Sequence, residues 1–317
     1  KVNKAKKVNK VKKVNKVKIF TFQNVKTKLI GPEGQRCFHA TTPMTTGKKS
    51  FQIVSDLHLE QNFIRDPFSV IRPVSPILVL AGDVGSLRDM SQLAEFFTKL
   101  CDGFQDVIYV VGNHEYYQSS SAEQRPPARP GNRNIKSHQG SQGRNVISMG
   151  DLRQRALSLG RKISNLHVLD RKTVKINNIL FAGATFWSDI RDVSYYPDYI
   201  RKNLNIDKRT YMALHSRDVK WLLRIINAAA KNDDVRLAII THYPPTKKTL
   251  RKLGTKNEEF YASNREDLLK KNVSVWVYGH THHNKDFRVN DVRLVSNQLG
   301  KKYDNCVLDP MKVVEME

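Results

Sequence analysis

Eight side chains are of types that ligate metals or move protons, and they occur in five short motifs. Asp56 and His58 lie in Ser55-Asp56-Leu57-His58, and Asp83 follows Gly82. Asn113 and His114 lie in Gly112-Asn113-His114-Glu115, and His242 follows Thr241. His280 and His282 lie in Gly279-His280-Thr281-His282. Carboxylate, amide oxygen and imidazole suit hard to borderline divalent cations, and no thiolate joins the set. Eight such groups are too many for one ion but fit two ions that share a bridging carboxylate. At an extended strand end, residues i and i+2 project to the same side, so Asp56 with His58, and His280 with His282, are expected to point together. Glycine before Asp83, Asn113 and His280 lets the backbone turn sharply beside the site. Any one of these motifs is a weak signal, and a lone buried His is more often a hydrogen-bonded core residue. The weight comes from five in succession.

Each motif follows a short apolar run rich in Val and Ile. The runs are residues 51–54, 77–81, 107–111, 237–240 and 273–278, with a further run at 179–184. Their length and composition predict strands buried on both faces. Between them, residues 87–100 put Leu93, Phe96, Phe97 and Leu100 on one helical stripe, and residues 210–230 do the same with Leu214, Val219, Leu222, Leu223 and Ile226. Strands alternating with helices predict an α/β sheet, and ligands of such sheets bind at the strands' C-terminal ends, where all five motifs fall.

Charge and composition frame this core. The net charge is +24, and nine lysines with no acid fall in residues 1–18, where VNKAKK, VNKVKK and VNKVKI repeat with a period of six. Such a segment cannot bury a core, so residues 1–48 are expected to be a disordered lysine-rich tail and linker. A folded domain is then expected over 49–317, interrupted by a Pro- and Gly-containing mobile insertion at 119–147. The basic balance makes nucleic acid or another polyanion a candidate partner through the tail. No stretch approaches the roughly twenty apolar residues that span a bilayer. Cys37, Cys101 and Cys306 are widely separated, which argues against a disulfide framework; with no apolar signal core at the start, a cytoplasmic setting is expected.

The ordered set DLH, GD, GNHE, THYPP and GHTH over residues 51–300 resembles the calcineurin-like metallophosphoesterase superfamily. The resemblance implies a four-layer αββα sandwich with a dinuclear metal centre at the strand C-terminal ends. It implies Asp56, His58 and His282 as ligands of one cation, Asn113, His242 and His280 as ligands of the other, and Asp83 as the bridge. His114 corresponds to the family's catalytic histidine, which binds no metal. The implied reaction is hydrolysis of a phosphate mono- or diester by a hydroxide that bridges two divalent ions, with Mn, Fe, Zn, Co and Mg all admissible. One departure bears on substrate. Phosphoprotein phosphatases of this superfamily continue the motif as GDxxDRG, whose Arg grips phosphate, whereas here Gly82-Asp83 runs on to Val84-Gly85-Ser86-Leu87-Arg88. That argues against a Ser/Thr phosphoprotein phosphatase and leaves Arg88 as a partial substitute. The competing class is a non-catalytic scaffold or a nucleic-acid-binding protein of the same fold, with or without nuclease activity; loss of ligands would favour the scaffold, and none is lost.

Several neighbours have plainer expectations. Glu115 orients a neighbour or starts a helix. Tyr243 walls the pocket or ends a strand before Pro244-Pro245. Trp187 packs, His215 faces solvent from mid-helix, His283 points away from His282, and Asn297 sits in a late turn that matches the family weakly.

Overall fold

The computed structural model describes residues 49–118 and 146–316, except 233 and 256. The tail and linker at 1–48, and residues 119–145 of the expected insertion, lie outside them. Eleven strands form among the described residues: β1 Ser50–Val54, β2 Ile77–Ala81, β3 Asp106–Val110, β4 Leu166–Leu169, β5 Lys172–Ile176, β6 Ile179–Ala184, β7 Arg236–Thr241, β8 Val273–Val277, β9 Asp286–Val289, β10 Val292–Val295 and β11 Val313–Glu315. The helices are α1 Leu59–Asn62, α2 Met90–Asp102, α3 Met149–Lys162, α4 Asp198–Leu204 and α5 Lys208–Ala229. One sheet has the order β11-β1-β2-β3-β4 and the other β5-β6-β7-β8-β10-β9. Neighbours are parallel except at the edges, where β11, β5 and β9 run antiparallel.

Side-chain alternation along the strands builds three apolar layers. Ile77, Val79 and Ala81 of β2, and Ile108 and Val110 of β3, face Phe181, Ala238, Ile240 and Val275 of the other sheet. Residues one step along, Leu78, Leu80, Val107 and Tyr109, pack outward on Leu93, Phe96, Phe97 and Leu100 of α2 and Leu152, Ala156 and Leu159 of α3. On the far side, Leu237, Ile239 and Trp276 pack on Val219, Leu222 and Ile226 of α5. Helix, sheet, sheet, helix is the expected four-layer arrangement. An edge-to-face pair, Phe51 and Phe181 with centroids 5.2 Å apart, joins the sheets.

Helix starts follow local chemistry. Asp89, Ser148 and Asp207 cap α2, α3 and α5 by accepting from Gln92, Asp151 and Thr210 backbone N–H groups. The stripe of α5 is rotated from the expected one. Tyr211, His215, Asp218, Val219, Leu222 and Ile226 are buried, whereas Leu214 and Leu223 are only partly so. His215 therefore does not face solvent. It lies four residues from Tyr211 and from Val219 on the buried face, and its Nδ1–H is satisfied by the Trp187 carbonyl at 2.5 Å. No helix among the described residues is long and apolar enough to cross a membrane.

Candidate metal centre

β1, β2 and β3 of one sheet, and β7 and β8 of the other, end at a common rim, and the eight candidate side chains gather there. Two of the resulting groups could each hold a cation: Asp56, His58 and His282, and Asp83, His242 and His280. Asp56, His58, Asp83, Asn113, His114 and His242 are all buried. Backbone bonds lock the strand tips together: Asp56 and His58 N–H donate to Gly82 and Asp83 carbonyls at 3.0 Å, and Gly279 N–H donates to His242 at 2.9 Å.

The tips are not extended. Asp56, His58, Asp83, His280 and His282 have φ of 55°, 46°, 51°, 69° and 46°, in the left-handed region that L-residues other than Asn and Asp seldom adopt. Such strain persists where surroundings over-determine it. It also alters the expected pairing. Asp56 and His58 do meet, but through left-handed backbone at both positions, and His280 and His282 diverge, one to each group. Gly112 makes the closest approach: a Cβ there would lie 2.2 Å from Asp83 Oδ1. At Gly82, with φ of 91°, a Cβ would lie 2.5 Å from His242 Nδ1.

Each of the four candidate ligand imidazoles has one ring nitrogen engaged by an acceptor, which turns the other toward the site. His58 Nδ1 bonds Glu60 Oε1 at 3.1 Å, and His242 Nδ1 bonds the Ala81 carbonyl at 2.9 Å. His280 Nε2 bonds the Phe260 carbonyl at 3.2 Å, and His282 Nδ1 bonds Asp304. The remaining nitrogens converge. His58 Nε2 faces His282 Nε2 at 3.0 Å, and His282 Nε2 is 3.3 Å from Asp56 Oδ1. His242 Nε2 lies 2.9 Å from Asn113 Oδ1 and 3.3 Å from Asp83 Oδ1. Asn113 Nδ2 donates to Tyr117 at 2.8 Å, which fixes its oxygen toward the site.

Asp83 joins the groups. Its Oδ1 is near His242, while Oδ2 is 3.8 Å from His58 Nε2, buried and without a hydrogen-bond partner among the described residues. Burial opposes its charge, but the His242 and His114 rings hold its carboxyl well below the ordinary value. Burial likewise opposes charge on His242, yet Asp83 lifts it to about 9; Asp304 and Asp56 do the same for His282. Burial and the His242 charge depress His280 to about 3. A buried orphan oxygen, facing imidazole nitrogens and an all O/N donor set fit divalent cations.

His114 lies beside these groups. Its N–H donates to Asp83 Oδ1 at 2.9 Å, and its Nδ1 bonds Glu60 Oε1 at 3.2 Å. Glu60 thus orients both His58 and His114, and although burial opposes its charge, those two rings hold it down to about 2. Glu115 accepts from Asp83, Val84 and Gly112 N–H at 3.1, 2.7 and 3.0 Å and from Tyr109 OH at 2.8 Å, so it orients the tips of β2 and β3. A cavity of about 320 Å³ opens over Asp83, Asn113, His114, His280 and His282, walled by Tyr117, Tyr199, Tyr243, Phe260, Tyr261 and Lys301. Tyr243 is therefore a wall residue. Trp187 packs among Tyr116, Tyr211 and Tyr243. Asn297 ties β1 to the chain end through Ile53 and Asp309 carbonyls, both at 2.8 Å. A larger hollow of about 740 Å³, at the opposite ends of β7 and β8, holds none of the candidate ligands.

Glu60, Asp304 and Lys301 join the site from outside the five motifs. Glu60, two residues after His58, had a readable signal in a second acid beside a histidine. Asp304 and Lys301 had none, being paired through space with residues far away in the chain. Arg88 does not reach the cavity; its Nη1 donates to Gln118 at 3.0 Å.

The chain resembles known proteins in sequence and in fold. The chain is 24% identical over 298 residues to uncharacterized protein L509 of Acanthamoeba polyphaga mimivirus, covering 83% of this chain and 95% of the relative. Among solved structures, phosphopantetheinyl hydrolase (PptH) from Mycobacterium tuberculosis superposes with a TM-score of 0.56 at 16% identity, covering 84% of this chain and 95% of that one, a likeness of fold. A dimetal phosphatase from Danio rerio aligns with a TM-score of 0.43 at 13% identity over 78% of this chain and 87% of its own. The family model for calcineurin-like phosphoesterases matches residues 50–284, a span that carries all five motifs, and the chain belongs to that family.

Proposed function

We propose that this protein is a hydrolase of phosphate mono- or diesters that works with two divalent cations. Asp56, His58 and His282 would hold one, Asn113, His242 and His280 the other, and Asp83 would bridge them. The observation that carries the reading is the position of Asp83, buried between the groups with one oxygen toward each. Cations bound there supply activation of water and neutralisation of phosphate charge. The chain's own residues do the rest. The four engaged ring nitrogens keep the imidazoles in the tautomers that ligate, and Glu60 holds His114 with Nε2 toward the cavity. From there His114 hydrogen-bonds a phosphoryl oxygen or passes a proton to the leaving oxygen. Aromatic walls exclude water and leave room for an organic leaving group.

The reading is tested by loading purified protein with Mn²⁺ and assaying p-nitrophenyl phosphate and its bis-ester. Turnover that chelator abolishes, with two metals per chain by elemental analysis, is the expected result. Two bound metals with no turnover of any ester would favour the scaffold instead.

A further inference from the structure

Lys301 stands in the cavity wall beside His114, its Nζ 3.4 Å from His114 Nε2. With His114 Nδ1 turned to Glu60, Nε2 is the ring nitrogen that shares the cavity with the ammonium. No carboxylate among the described residues forms an ion pair with Lys301 Nζ, and no other Lys or Arg among them lines the cavity. The residue is also held in place. Its backbone N–H donates to Asp304 Oδ2 at 2.7 Å, the oxygen that also bonds His282 Nδ1, and the preceding Gly300 N–H donates to the Asp56 carbonyl at 3.0 Å. The turn that presents Lys301 is thus built onto two candidate metal ligands.

A half-buried cation with no ion pair among the described residues, in the same cavity wall as the candidate catalytic histidine, is suited to an incoming anion. From this juxtaposition we infer that Lys301 binds a non-bridging oxygen of the substrate's phosphoryl group, and that the site thereby prefers phosphomonoester dianions to diester monoanions. The inference rests on the phosphoesterase reading and deepens it. A monoester with a second pKa near 6 carries its second negative charge at neutral pH on an oxygen that a diester uses for its second ester bond. Lys301 contributes most where that charge is present. It also stands in for the arginine that the motif after Asp83 lacks, a place that Arg88, bonded to Gln118, does not take.

The test uses full-length Mn²⁺-loaded protein carrying Lys301→Met, which keeps bulk without charge, and Lys301→Arg. Lys301→Met should lower kcat/KM for p-nitrophenyl phosphate by at least about tenfold, the scale of one charge-assisted hydrogen bond, and for bis(p-nitrophenyl) phosphate by far less. Inorganic phosphate, titrated calorimetrically into the same samples, should bind correspondingly more weakly to Lys301→Met, and Lys301→Arg should regain most of both losses. Metal content and thermal midpoint equal to wild type confirm that each variant is folded. Equal losses on the two esters, or unchanged phosphate affinity, would overturn the inference. Should wild-type protein hydrolyse neither ester, the hydrolase reading fails, while the phosphate titration still decides the role of Lys301.

Discussion

Asp83 has one oxygen bonded by the His114 N–H and the other left bare at 3.8 Å from His58, so replacing a single oxygen by an amide disturbs both groups at once. Asp83→Asn should lose metal stoichiometry and at least about a hundredfold of turnover. On the proposed reading, in which His114 acts on the phosphoryl group without ligating, His114→Ala should lose turnover on a similar scale with metal content retained. Near-normal hydrolysis by both variants would end the assigned roles. The imidazoles also set a pH dependence. His242 and His282 are raised to about 9, so below that pH each holds a proton that a cation has to displace. Raised values mean that the competition is strongest at low pH and vanishes above about 9. Apparent Mn²⁺ affinity should therefore climb from pH 6 to 9, by up to about tenfold per unit for each proton released. Calorimetry in two buffers of different ionisation enthalpy counts those protons, and a count of zero at pH 7 would contradict the electrostatics.

At the scale of elements, the site depends on strand tips turned out of extended conformation. Glu115 secures this by collecting three backbone N–H groups and the Tyr109 hydroxyl from the ends of β2 and β3. Glu115→Ala strands four buried donors and should cost about 3 kcal/mol or more in urea unfolding, together with weakened metal binding. A variant as stable as wild type would show that water replaces the carboxylate and that the tips hold without it.

On the scale of the whole molecule, each sheet supplies part of the candidate ligand set, so the packing between the sheets sets the distance between the two halves of the site. Phe181→Ala opens that interface opposite Phe51 and should cost about 3–5 kcal/mol, with looser metal binding as a second readout. Full metal affinity in a destabilised variant would mean that the tips align independently of the inter-sheet core. The basic tail is a separate proposal that rests on its charge. Deleting residues 1–18 should reduce affinity for single-stranded DNA or RNA and flatten its salt dependence while leaving ester hydrolysis intact. Unchanged affinity and salt slope would show that the tail is not the binding element.

Local patterns carried a large part of this protein. Apolar runs have the period of strands, and polar residues placed just beyond them lie at sheet ends whatever the overall packing, so Asp56, His58, Asp83, Asn113, His114, His242, His280 and His282 were identifiable as candidates, and the family could be recognised, from the sequence by itself. Folding in three dimensions decided what contacts far along the chain decide. It split His280 from His282 through left-handed turns, rotated α5 so that His215 is buried, and set Asp304 and Lys301 against His282 and His114. Those pairings join residues 22 and 187 positions apart, and no short-range period encodes which distant side chains a folded chain brings together.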